Sequence, residues 1–506
     1  WTRVLFYWHQ VQPKGPDDWN PFFLPDRVVT REVAMGRELV GIIAGTAPWA
    51  SESGTRHAVP SGLYLPYDHP DNLWGQFMYL MAQRYAGQID HWTIWNEPDV
   101  WDEGYEGKSW NGSVEEYVQL LKIAYQAAKA ANPAAVIQLA ATTYWWDAQY
   151  GREPYFTRLL RTIHSDPNAA ANDYFFDVAT AHVYFKPEQV YDLTHFFRQQ
   201  LDVHGFANKP LWINETNAPP SSDPHHPAPE LRFSVTLEEQ SNFLVQAWAA
   251  GLAAGAERIA YYKLRDEPWL PEGVEPYGMQ RKDDSLRPVF WTYRALVTYL
   301  GGYEGAHLIR EGNIWRVMVP RGSYGTTTVV WNMGEVAETV QVPATSEHAL
   351  LVGPFGPLER IVPQEGSYPL LLPASSSGQI GGTPYMVVEG PGAEIWLDGP
   401  DGMEVAQRIV EEEEAPMIRA TVSVVTAVST PTSVLSPTLT PAPTSVPPTA
   451  TSTPQTIGAV PTVSTMPPSH SSLALRSSRG LPVIWVLGST FMLAFGSCWL
   501  LWNRYV

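Results

Sequence analysis

Two short stretches of this 506-residue chain end an apolar run on a carboxylate. In "HWTIWNEPD", residues 91–99, the run stops at Asn96-Glu97-Pro98; in "KPLWINETNAPP", residues 209–220, it stops at Glu215, ahead of two prolines. A charge beside a core is costly unless it is paired or put to use. Proline cannot continue a sheet ladder, so Pro98 leaves Glu97 at the carboxyl end of a strand. Two carboxyls held at strand ends suit acid/base or nucleophilic work, in which one must carry a proton while the other is ionised. The same Asn-Glu-Pro run also fits a plain strand-ending turn with a solvated glutamate, so the rest of the chain has to decide.

The elements that position the two glutamates alternate between β and α patterns. Strands are expected at 3–8, 38–44, 91–96, 135–141, 176–184, 210–216 and 258–264. Helical periodicity fills several gaps, most clearly at 113–133 and 236–256, where Ser113 and Thr236 precede acids in capping positions. Repeated strand–helix units with near-continuous apolar strands imply a parallel sheet covered by helices. Glu215 follows Glu97 by 118 residues, about three units of roughly 40 residues each. Seven strands are one short of a barrel, and the chain opens inside a strand, "WTRVLFYW". The expected fold class is therefore α/β, a (β/α)8 TIM barrel over 1–303 whose first strand–helix unit is absent from this chain. With that unit counted, Glu97 ends strand 4 and Glu215 ends strand 7, both at the carboxyl-end mouth.

Short alternating runs such as "IWRVMVP" and "TTTVVWN" predict a small antiparallel, sandwich-like β-domain at 304–400. An acidic connector, 401–418, leads to a Ser/Thr/Pro-rich stalk at 419–480, which has too few apolar residues in pattern to form a core. Residues 481–502 carry no charge over 22 positions, long enough for one transmembrane helix. A single-pass protein of the cell membrane is expected, its barrel outside the cell.

Composition narrows the partners. Aromatic residues make up 12% of the chain, with 21 Trp and 24 Tyr, many beside Asp, Asn or Glu. That mixture suits sugar rings, whose C–H faces stack on indoles while their hydroxyls bond carboxylates and amides. Residues 1–415 hold all 52 acids against 29 of the 33 Lys and Arg, which argues against nucleic acid as a partner. The only cysteine, Cys498, leaves no thiol nucleophile, intramolecular disulfide or Cys-rich zinc site. His225 and His226 are adjacent and lack the helical i, i+4 spacing of a zinc pair, so neither a metal nor a cofactor is expected.

Taken in order, "WTRVLFYWHQVQP", "LVGIIAGTAPWAS", "WTIWNEPD", "ATAHVYF" and "LWINETN" resemble the retaining glycoside hydrolases of clan A, nearest to family 39, whose members include β-xylosidases and α-iduronidases. The resemblance covers about residues 1–300. It implies Glu97 as general acid/base, Glu215 as nucleophile, and Asn96 as a partner of the sugar 2-hydroxyl. It also implies that Arg3 keeps Glu215 ionised. His182 and Tyr184, on alternate residues of one strand, are candidates to bond Glu215 or substrate. Trp8, His9 and Trp49 are candidate sugar contacts. The clan usually ends strand 8 on Trp; here "IAYYKLRDEPW" offers Tyr262 as the substitute, or Trp269 from the following loop. The expected activity is O-glycosyl hydrolysis of an oligo- or polysaccharide. The alternatives are a catalytically silent barrel that holds glycans and a surface protein whose stalk displays a folded head.

Overall fold

The structure, a computed structural model, describes residues 1–101, 108–227, 233–270 and 274–397. The connector, the stalk and the expected membrane helix at 481–502 lie outside the described residues, and among those described no helix is long and apolar enough to cross a membrane.

Among the described residues seven parallel strands run in chain order: β1 (Thr2–Tyr7), β2 (Leu39–Ala44), β3 (His91–Ile94), β4 (Val136–Gln138), β5 (Ala179–His182), β6 (Leu211–Thr216) and β7 (Arg258–Tyr261). Ladders join β1 through β4 and β5 through β7, and single bridges at Gln138–Val178 and Thr142–Ala181 connect the two groups. Each strand is followed by a helix, at Asp26–Ala34, Leu73–Arg84, Val114–Ala131, Tyr155–Ser165, Pro187–Val203, Leu237–Ala253 and Val289–Leu300. The two clearest sequence signals hold in detail. Ser113 with Glu116, and Thr236 with Glu239, close reciprocal capping boxes that satisfy the first free N–H groups of their helices.

The wall curls back on itself. β7 and β1 share no ladder among the described residues, but Arg258 bonds Glu38 ahead of β2, and the Trp1 ring lies 5.4 Å from that of Trp212 on β6. Val40, Val136, Val178 and Trp212 cluster at the amino ends of the strands and fill that end of the interior. The opposite, carboxyl ends carry the polar residues. Several strands stop earlier than their apolar runs suggest. β3, expected to reach Asn96, ends at Ile94 because Trp95 turns to a φ of 77°, where the ladder cannot continue.

After the last helix comes a six-stranded antiparallel sheet of β8 (His307–Glu311), β9 (Ile314–Pro320), β10 (Thr326–Asn332), β12 (Ala349–Gly353), β13 (Gly356–Ile361) and β15 (Tyr385–Glu389). A two-stranded ribbon, β11 (Glu338–Pro343) with β14 (Ser367–Leu372), covers one face. Side-chain alternation divides the labour between faces. Val330, Leu351 and Val387 point to the ribbon, whereas Val329, Trp331, Leu350, Val352 and Val388 join the barrel's own hydrophobic core.

Candidate active site

Glu215 lies at the carboxyl end of β6, in a strand whose six residues are all buried. A register shift in β5 between Ala181 and His182 sets His182 opposite Glu215. Three groups converge on this carboxylate. Arg3 Nη2 donates to Oε1 at 2.7 Å, the Tyr184 hydroxyl donates a short hydrogen bond to Oε2, and His182 Nδ1 lies 3.4 Å from Oε2. Burial alone would push the Glu215 carboxyl up, but the positive charges of His182 and Arg3 and the Tyr184 hydrogen bond outweigh it and hold the group below the usual carboxylate range. Glu215 is thus held as an anion.

Glu97 meets the same histidine from the other side. His182 Nδ1 is 2.7 Å from Glu97 Oε1, so one imidazole bridges both carboxylates, and the donor atoms of the three residues lie within 4.8 Å of one another. A cation could be held by such a set, but the Arg3 guanidinium already neutralises Glu215 on one side. The cluster therefore fits proton sharing better than metal binding. No arginine or lysine bonds Glu97 among the described residues, and its side chain is 13% exposed. Its backbone is unusual: φ is 45°, a left-handed conformation that side-chain-bearing residues seldom adopt. Hydrogen bonds hold it there, from Glu97 N–H to the Ala141 carbonyl at 3.0 Å and from Ser109 Oγ to the Glu97 carbonyl at 2.6 Å.

The remaining expected site residues divide. Asn96 is half-buried directly before Glu97. Tyr262 follows β7 and packs edge-on against Tyr184, with ring centroids 6.3 Å apart, and its hydroxyl donates to Glu275 at 3.3 Å. Its neighbour Lys263 is nearly enclosed and is held by Glu267 and Glu275. Trp49 is partly exposed, its indole N–H on the Gln12 carbonyl at 2.7 Å. Trp8 is different. It has no exposed surface and stacks on Phe77 at 5.0 Å, with Trp49 and Trp74 at its edges, so it supports Trp49 and has no free face for a sugar. His9 sits where β2 turns away at Gly45, whose φ of 74° and lack of a side chain leave room for the imidazole; a Cβ there would meet Nδ1 at 2.6 Å. Burial, with Arg56 nearby, lowers the His9 pKa to about 4, which makes it a neutral ring at ordinary pH.

Two residues were not picked out from the sequence. Tyr277 is fully buried and packs against both Tyr184 and Tyr262, backing the wall beside Glu215. Asp99, inside the quoted "NEPD" run, is also enclosed. It takes hydrogen bonds on Oδ2 from Thr143 N–H at 2.8 Å and from Thr143 Oγ1 at 2.7 Å.

Comparison with known proteins gives similarity at the level of fold. No family model matches the sequence, and no curated protein matches it. Among solved structures, the chain is similar to a family 39 glycoside hydrolase from the gut symbiont Bacteroides cellulosilyticus WH2. The TM-score is 0.56 at 15% identity, over 76% of this chain and 75% of that one. A monomeric β-xylosidase from Caulobacter crescentus CB15 (TM-score 0.49, 14% identity, 77% and 90% covered) is more distant, as is a family 30 endoxylanase from Clostridium papyrosolvens C71 (TM-score 0.48, 12% identity, 77% and 90% covered). The likeness to the family 39 glycoside hydrolase is therefore one of fold.

Proposed function

We propose that this protein is a retaining glycoside hydrolase that cleaves O-glycosidic bonds of an oligo- or polysaccharide by double displacement. The observation that carries the reading is the unequal pair of carboxyls. Glu215 is charged and held by Arg3, Tyr184 and His182, whereas Glu97 has only the shared His182 and no arginine or lysine among the described residues. In the first step Glu215 attacks the anomeric carbon while Glu97 gives its proton to the leaving oxygen, and a glycosyl ester forms on Glu215. In the second, Glu97 takes a proton from water, which displaces Glu215. One oxygen of Glu97 lies within 4.8 Å of one oxygen of Glu215, an approach that supports this route over inversion, where the carboxyl groups stand about 6.5–9.5 Å apart to seat a water between base and sugar. Asn96 is assigned to the sugar 2-hydroxyl, and Trp49, His9 and Tyr262 to the walls of the sugar site. In the same proposal the barrel stands outside the cell, tethered through 419–480 and 481–502.

The test is direct. The protein is screened against aryl glycosides, and proton NMR follows the first-formed anomer. Retention is expected; an inverted product would overturn both role assignments. Glu215→Gly should abolish turnover. Glu97→Ala should keep much of its kcat/KM on substrates with a good leaving group, which need little protonation, and added azide should raise its kcat by giving a glycosyl azide of retained configuration. A protein that binds glycans but hydrolyses none would favour the silent-barrel alternative.

A further inference from the structure

Asp99 has no part in the two steps above, yet its surroundings are as closely built as those of the glutamates. It is 1% exposed, two residues beyond Glu97, and it reaches across to the loop that follows β4. The turn between them is strained, with Trp95 and Glu97 both left-handed at φ 77° and 45°. Such residues cost on the order of 1–3 kcal/mol each and persist only where the surroundings over-determine them. Here Trp95 is fixed by its backbone N–H on the Ile43 carbonyl at 2.7 Å and its indole N–H on the Ser109 carbonyl at 3.1 Å. Glu97 N–H bonds the Ala141 carbonyl, Val100 N–H bonds the Glu97 carbonyl at 3.0 Å, and Ser109 Oγ bonds the same oxygen. The pair of hydrogen bonds that the Thr143 N–H and Oγ1 donate to Asp99 Oδ2 is a tie that continues the β3–β4 pairing past the ends of the strands.

We infer that Asp99 is a positioning residue for the acid/base: fixed on Thr143, it holds the turn that aims Glu97 at the leaving-group oxygen. The inference rests on the reading of Glu97 given above. Both Thr143 donors fall on Oδ2, while Oδ1 is buried without a hydrogen-bond partner among the described residues. Burial, followed by the nearby charge of Glu97, raises the Asp99 pKa to about 7. A proton on Oδ1 leaves the tie to Thr143 intact, so the anchor works in either charge state. An amide in the same place would keep an acceptor for Thr143, whereas a methyl group would not.

The experiment compares Asp99→Ala and Asp99→Asn with the wild type in the full chain, using aryl glycosides with poor and good leaving groups. Asp99→Ala should lower kcat/KM on the poor leaving group by about ten- to hundredfold, part of the roughly 10²–10⁴ that general acid catalysis supplies. It should change kcat/KM on the good leaving group by less than about threefold, because that first step needs little acid. Asp99→Asn should recover most of the loss. Thr143→Val, which removes one donor and keeps the backbone one, should show a smaller loss with the same leaving-group dependence. Its result decides the matter if the alanine variant does not fold. Equal losses on both substrates, or an asparagine variant no better than alanine, would overturn the inference. A wild type inert toward every glycoside would instead overturn the functional reading on which it stands.

Discussion

Glu215 keeps its charge in a buried place because three neighbours outweigh desolvation, and Arg3 is the one that brings a permanent charge. Replacing Arg3 with Gln keeps a hydrogen-bond donor but removes that charge, so the carboxyl should ionise at higher pH. The acid limb of the kcat/KM profile should move to higher pH. An unmoved limb would mean that Arg3 is not what holds Glu215 ionised. Asp99 has the opposite balance, with Glu97 beside it and the Tyr155 ring close enough to feel its charge. A carboxyl whose folded pKa is raised binds its proton more tightly in the native state, so it weakens folding as pH climbs from the unfolded value of 3.8 to about 7. The melting temperature of Asp99→Asn relative to wild type should therefore rise over that window and level off above it; a constant difference would sink this account. Asp99 was hidden in the sequence for a physical reason: its partner, Thr143, is 44 residues away and lies on a loop without pattern. His182 and Tyr184 could be paired in the sequence by strand alternation, whereas Arg3 followed only from the family resemblance. Trp8 was misplaced because an aromatic at a strand end looks the same whether it lines a cleft or backs one.

At the scale of elements, strands and helices were readable because each has a period, and their limits were not, because limits depend on single dihedral angles such as that of Trp95. The β-domain shows what alternation buries. Odd and even residues of β10, β12 and β15 face different partners, and one set completes the barrel's core. Polar ties add direction: Gln246 on the helix after β6 donates to the Gly381 and Gly382 carbonyls and accepts from Gly381 N–H, and Arg321 donates to the Gly301 and Thr298 carbonyls. Cutting the chain after residue 303 would leave the barrel helices with an apolar face in water. That shortened chain should melt lower or aggregate. Trp331→Ala, which empties a fully buried site on the shared face, should cost about 3–5 kcal/mol in the whole chain. An unchanged melting temperature in both would mean that the domain hangs free.

On the scale of the whole molecule, charge and chemistry fall in separate places. Every acid lies at or before Glu414, and the stretch from 419 to 475 has no Lys, Asp or Glu. The residues assigned to catalysis are all held by partners within 1–397, from Arg3 at the start of β1 to Glu275 behind Tyr262. A Thr/Ser/Pro segment has no apolar pattern with which to add to that core, so in the tethered arrangement proposed above its contribution would be distance from the anchor. The protein ended after residue 418 should therefore stay soluble and hydrolyse soluble aryl glycosides with the same kcat and KM as the full chain. An anchor that only tethers can change where the enzyme meets a polymeric substrate, but not the bond-breaking step, because no group that touches the sugar is lost. A lower kcat on a small soluble substrate after removal of 419–506 would show that the tail supports the barrel itself.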